Sequence, residues 1–168
     1  MYNDPIMISW GERMFEPVSG EDRIEWPFGP APEELLRRAR SAAGLAYVPY
    51  SHFHVGAAMI VNGANGPEVL TACNVENASY GLTLCAERSV VAVMGSRGLR
   101  RPLAIGIVGS IEGRDDYLTS PCPPCGACRQ TLMEFGPDML VVLASEDGPI
   151  VRRLRDLLPC SFSMEDRS

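Results

Sequence analysis

Ser120-Pro121-Cys122-Pro123-Pro124-Cys125-Gly126-Ala127-Cys128-Arg129-Gln130 carries three of the six cysteines of the chain. Two consecutive prolines suit an extended loop, since each lacks an N–H and holds φ fixed. From residue 126 to 135 the pattern turns helical, and Gly136-Pro137 closes it. The stretch therefore reads as a loop running into a helix, with Cys125 and Cys128 on the helix's first turn. Two cysteines so spaced can aim both sulfurs at one point. The free N–H groups and the dipole at a helix start favour thiolate over thiol there.

A second cysteine lies at another helix start. Leu84-Cys85-Ala86-Glu87-Arg88 opens a segment, 84–95, with apolar residues at helical spacing, stopped by Gly95 and Gly98. Zinc favours Cys and His ligands in tetrahedral array, and a catalytic site keeps one of four positions open for water. Cys85, Cys125 and Cys128 supply three thiolates. Glu87, two residues beyond the first, can reach the open position without binding the metal. Two alternatives use Cys122: as a fourth ligand it would close the site into a structural one, or it could replace Cys128 in a Cys122/Cys125 pair. Arg129-Gln130 directly after Cys128, and prolines unsuited to a helix interior, favour Cys125 with Cys128.

Around these two helices the chain alternates. A helix is predicted from near Pro32 to Pro49, with Glu33 and Glu34 in its first turn and Leu35, Leu36, Ala39, Ala42, Ala43 and Ala46 on one face. Strands follow at 53–61 and 68–73, joined through a turn signal at Asn62-Gly63 and a loop through Asn65-Gly66-Pro67. Apolar runs at 103–109 and 139–144 read as buried strands. A fifth strand is placed near 149–151, before a helical turn through Leu154, Leu157 and Leu158. This order implies an α/β fold, a mixed sheet with helices on its faces. Residues 1–30, broken by Pro5, Gly11, Pro17, Gly20, Pro27, Gly29 and Pro30, read as an arm outside a core domain at 31–168. Phe15, Ile24, Trp26 and Phe28 are its candidates for packing on the core.

The bulk numbers narrow the chemistry. The chain has 168 residues, 46% hydrophobic and 21% charged, as a soluble domain should. No apolar run approaches the roughly 18 residues of a membrane span. The N-terminus is acidic and lacks an apolar stretch typical of secretory signals, so a cytoplasmic protein is expected. A net charge of −6 with 15 basic residues argues against a nucleic-acid partner, which is held mainly through Lys and Arg. Arg97, Arg100 and Arg101, the nearest thing to a basic patch, suit a solvated helix end. In such a compartment the clustered cysteines point to metal rather than disulfides.

Cys or His, any residue, then Glu, followed by Pro-Cys-x-x-Cys, is the general signature of zinc deaminases, and this chain carries its Cys form. Beyond it, residues 32–166 resemble the small, homotetrameric cytidine deaminases. The matching segments are Tyr47-Val-Pro-Tyr-Ser-His-Phe-His-Val-Gly-Ala-Ala58, Cys73-Asn-Val-Glu-Asn-Ala-Ser-Tyr80, the two cysteine segments, and Leu157-Leu-Pro-Cys-Ser-Phe162 with Glu165-Asp166. The resemblance implies a three-layer α/β/α sandwich around a five-stranded mixed sheet. It also implies hydrolytic conversion of cytidine and 2'-deoxycytidine to uridine and 2'-deoxyuridine, with one Zn²⁺ per subunit. In that pattern Phe53 lies against the pyrimidine, and Asn74 and Glu76 bind the ribose hydroxyls. Ala78, Tyr80 and Phe162 reach a neighbouring subunit's site. Arg88 sits beside the thiolates and offsets their charge. Glu87 moves the protons while water adds to C4 and ammonia leaves.

The chain departs from the family pattern in two places. The family normally runs Ser-Pro-Cys-Gly-Ala-Cys, whereas Cys-Pro-Pro here separates Ser120-Pro121 from Cys125. His54 stands where Pro is common. Plainer readings compete: Cys73 and Cys160 as small buried or interface hydrophobes, His52 and His54 as non-ligands, Phe53 as core, Glu76 and Asn77 as turn residues, Phe162 as a C-terminal anchor. A deaminase of a modified cytosine nucleoside, and an idle zinc-stabilised interaction module, are the rival functions. A nucleic-acid editor is disfavoured by the acidic charge.

Overall fold

A computed structural model describes residues 24–164 of the chain. In chain order the elements are α1 (Pro32–Ala43), β1 (Phe53–Gly63), β2 (Gly66–Cys73), α2 (Ala86–Ser96), β3 (Pro102–Ile111), α3 (Gly126–Met133), β4 (Leu140–Leu143), β5 (Ile150–Arg153) and α4 (Leu154–Leu157). A 3-10 turn at Tyr80–Leu82 precedes α2. The five strands form one sheet in the order β2-β1-β3-β4-β5. Only β3 and β4 run parallel; the other neighbours are antiparallel.

Strand side chains alternate between faces, and that alternation sorts the core into two layers. Ala57, Met59, Val61, Ile105, Ile107, Val141 and Leu143 pack with Ala86, Val90 and Met94 of α2, Leu132 of α3, and Leu154 and Leu157 of α4. Ala58, Ile60, Ala104, Val108 and Val142 face the other way, against Leu35, Leu36, Ala39 and Ala43 of α1. Three helices on one face and one on the other make the α/β/α sandwich. α1 comes unusually close to β1 because Gly56 has no side chain: a Cβ there would stand 1.9 Å from the Ala39 carbonyl oxygen.

The chain just before α1 packs as well. Ile24, Trp26 and Phe28 lie on the α1-side core. The Trp26 indole N–H donates to the Pro30 carbonyl at 2.8 Å, and its ring meets Phe28 edge-on at 5.1 Å. Trp10, Phe15, Glu165 and Asp166 lie outside the described residues. Among the described residues no helix is long and apolar enough to cross a membrane.

Several boundaries differ from the sequence reading. α1 stops at Ala43 rather than continuing to Pro49. Leu45 and Ala46 turn tightly onto the Ala42 and Ala43 carbonyls, and Tyr47 then pairs with Val75. The hairpin turns at Ala64-Asn65, because Asn62 and Gly63 are already paired with Pro67 and Gly66. Gly66, at φ +109°, takes the left-handed conformation that the turn needs. Pro67 lies within β2 without breaking a ladder, because β2 is the sheet edge.

Candidate active site

The sheet brings the starts of α2 and α3 together on one face. Cys85 is the residue that caps α2, and Cys125 caps α3; each carbonyl accepts the first helical N–H, from Ser89 and Arg129. Cys128, one turn into α3, is fully buried. The sulfurs of Cys85, Cys125 and Cys128 all lie within 4.8 Å of one another. Cys122 is not in this group, and neither histidine is. The His52 ring pairs with Glu112 at 2.9 Å, and the His54 ring is 3.3 Å from the Ala43 carbonyl.

The donor set fits a zinc ion. Three sulfurs so close cannot all ionise in the absence of a cation. The hydrogen bond from Cys128 holds the Cys85 thiol low, at about 5, with Arg88 contributing, and the same bond pushes the Cys128 thiol up. An ion would be held by all three sulfurs as thiolates. Sulfur is a soft ligand that zinc binds at about 2.3 Å. Among the described residues no fourth His, Cys, Asp or Glu donor joins the cluster.

Glu87 follows Cys85 by two residues and is 5% exposed. Burial raises its carboxyl above the ordinary value, and the negative charge of Cys85 adds to this. Arg88 donates from Nη2 to the Thr83 carbonyl and lies 4.0 Å from Cys85 Sγ through the same nitrogen. Its Nε is buried without a partner, as is Ser89 Oγ.

The remaining sequence-predicted residues divide into two groups. Phe53 and Asn74 lie at the inner wall. The Asn74 carboxamide accepts from Val55 N–H and donates to the Phe53 carbonyl, both at 2.9 Å, so it stitches β1 behind the phenyl ring. Glu76 Oε2 accepts from the backbone N–H of Tyr50 and of Ser51, at 3.0 and 3.2 Å. Ala78, Tyr80 and Phe162 are displayed outward on this chain. Tyr80 is 74% exposed and touches the edge of Tyr50, with ring centres 6.0 Å apart. Phe162 is 61% exposed, its backbone held in both directions by the Gln130 carboxamide.

Three residues have places near the site that the sequence did not assign to them. Arg129 donates from Nε to the Pro124 carbonyl and from Nη1 to the Leu157 carbonyl, tying the cysteine loop to α4. Its place directly after Cys128 was the available signal. Cys122 is a half-buried thiol beside Phe53, packed on the α2-side core. Burial, with Glu87 and Cys85 nearby, pushes it up to about 12. The third is Gly109, against which Cys122 and Phe53 both rest. Cys160, read as a small buried or interface hydrophobe, is exposed on this chain; Cys73 is half-buried.

Residues 31–144 match the family described as "Cytidine and deoxycytidylate deaminase zinc-binding region". The chain belongs to this deaminase family. It is accordingly a hydrolase. A cytidine deaminase of Mycobacterium tuberculosis is 48% identical over 133 residues, covering 79% of this chain and 90% of that protein. Another, from Halalkalibacterium halodurans, is 42% identical over 134 residues, or 79% and 94% of the two chains. The crystal structure of cytidine deaminase from Burkholderia pseudomallei superposes with a TM-score of 0.66 at 42% identity, covering 77% of this deaminase and 98% of that chain.

Proposed function

We propose that this deaminase hydrolyses cytidine and 2'-deoxycytidine to uridine and 2'-deoxyuridine, releasing ammonia, with one zinc held by Cys85, Cys125 and Cys128. The observation that carries this reading is the sulfur triangle with a buried carboxyl two residues from one of its corners. Bound zinc supplies Lewis acidity that makes a water a nucleophile near neutral pH. The chain's own residues do the rest. Glu87, its carboxyl raised above the ordinary value by burial, takes a proton from water and delivers it to N3, so that C4 accepts the oxygen. It then takes the new hydroxyl's proton and hands it to the exocyclic nitrogen. The C4–N4 bond breaks, and ammonia leaves as the C4 carbonyl forms.

Phe53 offers its face to the pyrimidine. Glu76 accepts from the ribose hydroxyls, and its charge disfavours a phosphate on the sugar. Asn74 has one N–H and one lone pair beyond its bonds to β1, which suit a hydroxyl. Arg88 stands beside the thiolates and offsets their negative charge.

A homotetramer with shared sites accounts for the outward-facing residues. Tyr47, Val75, Tyr80, Leu82 and Leu84 form an exposed apolar surface next to the site, with Leu82 at 67% exposure. Ala78, Tyr80 and Phe162 then complete a neighbour's pocket. Free thiols and a thiolate metal site suit the reducing cytoplasm and a role in pyrimidine salvage. We assign residues 1–30 to an arm on a catalytic domain at 31–168.

The test is the loss of the cytidine absorbance band with stoichiometric ammonia, abolished by a zinc chelator and restored by zinc. No turnover by the zinc-loaded protein would overturn the reading. Turnover of a modified cytosine nucleoside alone would replace the substrate while leaving the chemistry.

A further inference from the structure

Gly109 lies within β3 directly opposite Val55 of β1. Opposed residues of an antiparallel pair share a face. Gly109 therefore points to the side of the sheet that carries α2, α3 and the cysteines, as Phe53 does two residues before Val55. A glycine inside a strand weakens it, because it adds entropy to the unfolded chain and offers nothing to pack. Its conformation does not require it here: among the described residues the glycines at positive φ are Gly66, Gly98, Gly113 and Gly148.

Space is what Gly109 provides. A Cβ there would stand 2.7 Å from Cys122 Sγ and 2.9 Å from both Cε1 and Cζ of Phe53. The phenyl edge and the sulfur thus share the space over the bare backbone. Asn74 fixes the Phe53 backbone from the carbonyl side, and the notch at Gly109 receives the far end of the ring. Sulfur against an aromatic edge is a favourable contact.

We propose that Gly109 is a positioning residue for the nucleoside base: its missing side chain seats the Phe53 ring against Cys122 and so sets the plane on which the pyrimidine lies. This rests on the reading of Phe53 as the base-facing ring. Gly109 acts through that ring and touches no reacting atom. A methyl group at 109 tilts or lifts the ring. The base then binds less well, while Glu87 and the three sulfurs keep their places.

Steady-state kinetics with cytidine, zinc content and subunit mass of the full chain test this. Gly109→Ala is expected to keep its zinc and mass, raise KM about tenfold, and hold kcat within about threefold, the scale of losing one good aromatic contact. Adding Cys122→Ala makes room for the ring to slide, so the double variant should recover at least about half of the lost affinity on a logarithmic scale. An unchanged KM in Gly109→Ala overturns the proposal. So does a fall in kcat with zinc loss that Cys122→Ala does not relieve. If Gly109→Ala is insoluble, Cys122→Met presses on the same ring edge with Gly109 intact, and the same rise in KM is expected. Failure of the wild type on cytidine would sink the substrate reading instead. A crystal structure of Gly109→Ala then decides the seat on its own: a ring moved by about 0.5 Å or more upholds it, and an unmoved ring ends it.

Discussion

Glu87 and Arg88 are neighbours in sequence, yet the start of α2 sends one carboxyl into the interior and the other side chain along the thiolates. A carboxylate with the proton-shuttling role proposed for Glu87 is replaced in shape but not in function by an amide. Glu87→Gln should therefore retain a full complement of zinc and lose at least about two orders of magnitude in kcat, read by the absorbance assay alongside metal analysis. The cysteines separate just as clearly. Cys125 sits at a corner of the sulfur triangle, whereas Cys122 lies against Gly109, on the spot that the Phe53 ring also approaches. Cys125→Ser is expected to lose most bound zinc on dialysis and Cys122→Ser to keep it. Equal zinc loss in both would show that Cys122 is a ligand.

At the scale of elements, the close approach of α1 to β1 depends on one position. A Cβ at Gly56 would stand 1.9 Å from the Ala39 carbonyl oxygen and 2.6 Å from the Ala43 N. Both are backbone atoms, which no side-chain rotation relieves. Gly56→Ala should cost more than about 3 kcal/mol, beyond ordinary overpacking, and appear as a lower urea midpoint or as insoluble protein. The loop before β1 depends on a charge instead. The Ser51 hydroxyl and the amides of Tyr50 and Ser51 hydrogen-bond the Glu76 carboxylate and hold it below its ordinary 4.5. A depressed carboxyl stabilises the fold fully above the unfolded value and loses that contribution as pH falls through the folded one. The Tyr50 and Ser51 amides should therefore stay protected from hydrogen exchange above about pH 4.5 and lose protection below it, and above that pH they should exchange faster in Glu76→Gln.

For the whole molecule, α2 and α3 come from distant parts of the chain, and the proposed zinc would clamp their N-termini together. Zinc that binds the folded state alone, at a thousandfold excess over its Kd, adds about 4 kcal/mol. For a chain of this length that is about 10 °C in Tm. Removal of zinc by a chelator should lower Tm by that order and abolish turnover, both restored on adding zinc back. An unchanged Tm in metal-free protein would show that the three sulfurs do not bridge the two helices through an ion.

Some features could be read from local sequence because local physics sets them. The pattern of helices and strands followed hydrophobic period, and Cys125 and Cys128 were placed on one helix's first turn because their spacing is close to a turn. Boundaries were less legible where distant contacts prevail: α1 stops at Ala43 so that Tyr47 can reach Val75, and the hairpin turns at Ala64-Asn65 because register across β1 and β2 overrides the Asn62-Gly63 signal. The ligand choice among Cys122, Cys125 and Cys128 rested on register in sequence, whereas only the folded chain shows which sulfurs converge with Cys85. Gly109 was invisible, since a glycine in an apolar run says nothing about what it makes room for. Spacing along a chain fixes what lies on one turn of a helix; what meets across a sheet is decided by packing between segments that the sequence holds far apart.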